Sequence, residues 1–116
     1  MTKTKSNPAD TRLATYGTLV PGRVNDHQLA ELDGTWRQGT VRGKLVEAGW
    51  GADFGCPGLI LESSGQDVEV HLFESQDLPD HWTRLDALEG EDYRRVVTQI
   101  RIDDGSLDAW IYVIDV

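Results

Sequence analysis

The chain has 116 residues, 39% of them hydrophobic, which is near the modal size for one domain built around one core. Its formal net charge of −9 argues against binding a nucleic-acid backbone or an anionic membrane surface, since both contacts draw on an excess of Lys and Arg. Cys56 is the only cysteine, so neither an intrachain disulfide nor a thiolate-rich zinc site is available, and a reducing, cytoplasmic setting is expected.

Taken in chain order, Met1 to Asp10 carries Lys3 and Lys5 ahead of Ser6, Asn7 and Pro8 rather than an apolar run, so it does not read as a signal peptide. A disordered tail over residues 1–10 and one domain over 11–116 are expected. Leu13-Ala14-Thr15-Tyr16 is a short, mostly apolar run that stops at Gly17, with Pro21-Gly22 soon after, and reads as a strand feeding a tight turn. His27 to Leu32 fits one helical turn, ended by Asp33-Gly34. From Thr35 to Ala48 the pattern is that of a half-buried strand, with Val41, Gly43 and Leu45 on one face and Arg42 and Lys44 on the other. Gly49 to Gly58 mixes glycines with Trp50 and Phe54, giving a loop with large apolar side chains to bury, suited to the wall of a pocket.

Leu59-Ile60-Leu61 and Asp67 to Phe73 flank the turn Ser63-Ser64-Gly65, and the spacing predicts a hairpin. The main helix is predicted from about Pro79 to Glu89. Leu78, Trp82, Leu85 and Leu88 recur at helical spacing, Pro79 suits the first turn, and Gly90 stops it. Two alternating strands follow, joined at Asp103-Asp104-Gly105: Val96, Thr98, Ile100 and Ile102 line one, and Leu107, Ala109, Ile111 and Val113 the other. Mostly strand with one real helix, the chain is assigned to the α+β class, as a small mixed β-barrel carrying one main helix.

Glu89 is the residue that carries chemistry best. It follows Leu85 by four positions and Trp82 by seven, so the helix carries its carboxylate along the face that buries them. Burial, the negative end of the helix and the neighbouring Glu91 and Asp92 all act to raise its pKa, which suits a general base and acid near neutral pH. A Glu that swings into solvent at a helix end fits the pattern about equally well. In the same way, the turn at Tyr16, Gly17, Thr18 and Leu19 serves either as a nest of backbone amides for a carboxylate or as an ordinary end to a strand.

Those two segments carry a resemblance. Tyr16-Gly17-Thr18-Leu19 with Pro21-Gly22, and Leu85-Asp86-Ala87-Leu88-Glu89-Gly90 with Tyr93 and Arg94, resemble in order and spacing the gamma-glutamylcyclotransferase-like family. Gly43-Lys44-Leu45 through Pro57-Gly58 resembles the family's middle segment, and Ala109-Trp110-Ile111-Tyr112 its closing strand. Cys56 stands where the family usually has an aromatic residue. The resemblance implies a mixed barrel that binds a gamma-glutamyl or 5-oxoproline group. The amides of residues 16–19 would hold the carboxylate, and Glu89 would act as the base. On that reading the substrate's own α-amino group closes on its γ-carbonyl, releasing an amine and 5-oxoproline without a protein nucleophile, metal or cofactor.

Tyr93 and Tyr112 are further substrate-binding candidates, although strand tyrosines more often pack with a satisfied hydroxyl, and Trp50 is placed to cover the leaving group. His27, His71 and His81 show no metal-ligand spacing, and Cys56, with no cation beside it, reads as a small buried thiol. The alternative to an enzyme is a noncatalytic domain of the same fold that binds a small molecule or a protein.

Overall fold

The computed structural model describes residues 8–16, 27–47, 57–90 and 93–114. Six strands form the sheet: β1 (Arg12–Thr15), β2 (Gly34–Glu47), β3 (Pro57–Leu61), β4 (Gln66–Ser75), β5 (Tyr93–Ile102) and β6 (Gly105–Ile114). Among the described residues two α-helices accompany them, α1 (His27–Ala30) and α2 (Trp82–Glu89). The strand order is β3-β2-β4-β1-β6-β5, and a further pairing of β2 with β5 at Thr40 and Arg101 closes five strands into a barrel, with β3 as an addition to β2. The sheet is mixed because β1 runs parallel to β6, while the other pairings are antiparallel.

Alternation along the strands divides the apolar residues between two cores. Val41, Val68, Val70, Leu72, Ile100, Ala109, Ile111 and Val113 fill the barrel, and Leu13, Phe73 and Tyr112 point outward to pack with Leu29, Leu78, Trp82 and Leu85. Where a strand serves both cores it is buried on both faces, which is why adjacent Leu72 and Phe73 of β4 are both inaccessible. The β5–β6 hairpin has the predicted alternation, in register from Tyr93 opposite Ile114 to Ile102 opposite Gly105.

Four details differ from the sequence reading. First, the tail expected over residues 1–10 does not extend through its last three: Pro8–Thr11 form a 3-10 turn in which Ala9 is wholly buried. That turn is held because the Asp10 carbonyl accepts the indole N–H of Trp82 and its carboxylate accepts that of Trp110.

Second, β3 and β4 do not form a hairpin; both pair with β2, on its opposite edges. The turn between them crosses β2 at Gly43, where a Cβ on Gly65 would lie 2.6 Å from the Gly43 carbonyl oxygen, so the crossing depends on the missing side chain.

Third, Leu45 lies beyond the barrel at the end of β2 and is 46% exposed, unlike Val41 on the same face. Fourth, the helix predicted from Pro79 is two pieces, a 3-10 turn at Leu78–Asp80 and then α2 proper, joined at His81.

Among the described residues, no helix is long and apolar enough to cross a membrane.

Candidate active site

Helix α2 ends at Gly90, which has φ of 85° and returns its N–H to the Asp86 carbonyl at 3.2 Å. A side chain would be strained in that conformation, so glycine there makes Glu89 the last helical residue. Trp82 and Leu85 are buried against the barrel and Glu89 is half-buried on the same side. Burial first, and the nearby Asp86 carboxylate second, push the Glu89 carboxyl up to about 7. The like charge thus comes from one turn earlier in the helix, while Glu91 and Asp92 lie outside the described residues.

The neighbours of Glu89 are phenols. Its charge is felt at Tyr16, at the end of β1, and at Tyr112 in β6, and Tyr93 at the start of β5 is felt at Tyr16 as well. Four of the candidate residues, Tyr16, Glu89, Tyr93 and Tyr112, therefore gather at one end of the barrel. Gly17, Thr18, Leu19 and Trp50, the remaining candidates, lie outside the described residues, as does Cys56. Tyr16, the last described residue before Gly17, stands at this place.

Two of the phenols have their protons committed. Tyr16 donates to the Tyr112 carbonyl at 2.6 Å and accepts the Leu59 N–H at 3.0 Å. Burial, opposed in part by that amide and reinforced by Tyr93 and Glu89, raises its pKa far above the ordinary phenol range. Tyr112 donates to Asp86 Oδ1 at 2.7 Å, and burial together with this carboxylate raises its pKa too. Neither hydroxyl gives up its proton to solvent at physiological pH, and neither is a spare donor to a substrate.

The residues that sequence reasoning missed surround Asp86. Arg95 contacts its carboxylate twice, at 2.8 and 3.2 Å, and the guanidinium lies over the rings of both Trp82 and Trp110, 4.3 Å from each centroid. Burial pulls the Asp86 carboxyl upward, but the bonds from Arg95 and Tyr112 and the Arg95 charge outweigh it and hold it below the usual range. One sequence signal was available: Asp86 precedes Glu89 by three positions, so the two are neighbours on one helix face. Another followed from the hairpin register, which sets Arg95 directly opposite Tyr112.

A groove of about 700 Å³ lined by Thr40, Arg42, Leu61, Asp67, Arg101 and Ser106 lies at the other end of the β5–β6 hairpin. None of the described candidate residues lines it. Among the described residues, no three His, Cys, Asp or Glu side chains gather as a metal-binding set.

A closed five-stranded mixed barrel with a partly buried carboxyl at the end of its packed helix defines a cyclotransferase-like class of small domain. The family comparison agrees: residues 13–116 match the family described as gamma-glutamyl cyclotransferase, AIG2-like, and the chain belongs to it. Solved structures share the fold at low identity. YkqA from Bacillus subtilis superposes with a TM-score of 0.71 at 24% identity over 90% of this chain, which spans 36% of YkqA. An AIG2-like protein from Mus musculus gives 0.68 at 21% identity, covering 89% of this chain and 76% of that one. A protein from Pyrococcus horikoshii, PH0828, gives 0.63 at 18% identity, covering 90% and 77%. No curated protein matches the chain by sequence.

Proposed function

We propose that this protein cyclises a gamma-glutamyl amine or amide to 5-oxoproline with release of the amine, and that Glu89 is the general base and acid. The observation that carries this reading is the Glu89 carboxyl, pushed up to about 7 beside the Tyr16 end of β1. A carboxyl near that value is partly ionised at neutral pH, so it can take a proton in one step and return it in the next.

The substrate's α-ammonium loses a proton to Glu89, and the resulting amine attacks the γ-carbonyl carbon, forming the C–N bond of the five-membered ring. The bond from that carbon to the leaving nitrogen then breaks as Glu89 delivers the proton to the departing amine, and the ring nitrogen passes its second proton to the Glu89 carboxylate so freed, from which it leaves to solvent or to the released amine. No water is consumed and no covalent enzyme intermediate forms. The protein's task is to hold the chain of the substrate folded. Such orientation is worth roughly 7–11 kcal/mol when the reacting atoms are well placed. The α-carboxylate would be anchored on the amides of Gly17, Thr18 and Leu19, with Tyr16, fixed at both ends of its hydroxyl, as the base of that turn. Tyr93 and Tyr112 would line the substrate beside Glu89, and Trp50, as the sequence reading expects, would cover the leaving group.

The test is incubation with a panel of gamma-glutamyl amines and amino acids, followed by detection of 5-oxoproline, with Glu89→Gln alongside. Turnover is expected in the parent and loss of at least about a hundredfold in the variant, the usual contribution of a positioned acid–base group. Undiminished turnover in Glu89→Gln would reject the mechanism. Thermal stabilisation by 5-oxoproline without any turnover would instead favour a domain that binds and does not react.

A further inference from the structure

Arg95 joins the last turn of α2 to the barrel through a carboxylate and two indoles. Five side chains from three other segments surround it: Asp10 fixes both indoles, the two indoles face the guanidinium, the guanidinium grips Asp86 at two points, and Tyr112 donates to the same carboxylate from β6. An Arg lying over two aromatic rings with a two-point carboxylate contact is already held in place when it forms its bonds. Asp86 is thus held from both strands of the β5–β6 hairpin, and Glu89 sits three residues further along the same helix.

We propose that Asp86, gripped by Arg95 and Tyr112, is a positioning residue for Glu89: it locks the last turn of α2 against the barrel and keeps a fixed negative charge beside the reacting carboxyl. The inference rests on Glu89 being the acid–base group. Arg95 has a second part in it, because as the counter-charge of Asp86 it limits how strongly that negative charge acts on Glu89. Among the described residues, the groups tied to this end of α2 by bonds or charge are Asp86 from its own helix, Tyr16 from the end of β1, Tyr93 and Arg95 from β5, and Tyr112 from β6. Of these the phenols are neutral and Asp86 and Arg95 carry opposite charge at neutral pH, so removing one and removing the other give opposed effects.

The experiment follows the Glu89 side-chain carboxyl carbon by NMR through a pH titration of the full chain, in the parent, Asp86→Asn and Arg95→Met. It needs no substrate. Asp86→Asn should lower the Glu89 midpoint by about one pH unit, a tenfold change in its ionisation constant, and Arg95→Met should raise it by about half a unit. Where 5-oxoproline formation is measurable, kcat should fall about tenfold in Asp86→Asn with KM within about twofold, since the effect falls on the chemical step and not on binding.

A midpoint that moves in neither variant, or in the same direction in both, overturns the proposal even if the enzyme reading stands. Asp86→Asn is nearly isosteric, so an unmoved Glu89 in that variant alone is decisive if Arg95→Met fails to fold. Opposed shifts in a chain that turns over no gamma-glutamyl compound would uphold the control of Glu89 by this pair while sinking the assignment of activity.

Discussion

The hydroxyl of Tyr16 donates to the backbone carbonyl of Tyr112 at 2.6 Å, and through the same oxygen it accepts the N–H of Leu59 at 3.0 Å. One side chain thereby ties the end of β1 to β6 and to β3. It does so beside the carboxyl that we assign to catalysis.

Tyr16→Phe keeps the ring and removes this tie. It leaves a partly buried N–H and C=O short of a partner, at a cost of about 1–3 kcal/mol. Urea unfolding should show a lower midpoint with an unchanged slope. An unshifted midpoint would mean that the hydroxyl does not stitch the strands together.

Activity should depend on the ionised form of Glu89. Its carboxyl is raised to about 7, so kcat should fall on the acid side with a limb near that pH, losing about tenfold for each unit below it. A limb near the ordinary carboxylate range, at pH 4 to 5, would show that the base is another group or that Glu89 is solvated.

The same shift carries a stability consequence. Glu89 has a folded value above its unfolded one, so its contribution is fully present below about 4.5 and is lost as pH rises through about 7. Ionising it in the folded state costs at most about 3 kcal/mol. Glu89→Gln, which cannot ionise, should therefore raise Tm at pH 8.5 by several degrees and leave it nearly unchanged at pH 4. Equal effects at both pH values would contradict the burial of this carboxyl.

Gly65→Ala tests the strand crossing. Its Cβ would meet the backbone of Gly43 at 2.6 and 2.9 Å, and backbone on both sides cannot yield as a flexible side chain would. A loss of about 1–3 kcal/mol is expected in thermal or urea unfolding. An Ala variant as stable as the parent would show that the turn passes β2 at a greater distance.

Local pattern determined much of this protein. Alternation assigned β4, β5 and β6 and their inward faces, helical spacing placed Trp82, Leu85 and Glu89 on one side of α2, and Gly90 ended the helix where it was expected to. Each of these depends on residues within one or two turns or pleats of each other, and that is the range over which periodicity speaks. The family motifs joined Glu89 to Tyr16 in sequence order, but not in space.

Only the tertiary structure decided which partner each face meets. The closure at Thr40 and Arg101, the seating of β3 and β4 on opposite edges of β2, and the packing of Pro8–Thr11 under the two indoles all join residues far apart in the chain. The charge beside Glu89 was expected from Glu91 and Asp92, which lie nearby in sequence; among the described residues it comes from Asp86, and Arg95 and Tyr112 hold that carboxylate from across the hairpin. A side chain's face follows from its own neighbours in the sequence, whereas its hydrogen-bond partner and its electrostatic setting follow from whatever the closed barrel brings opposite it.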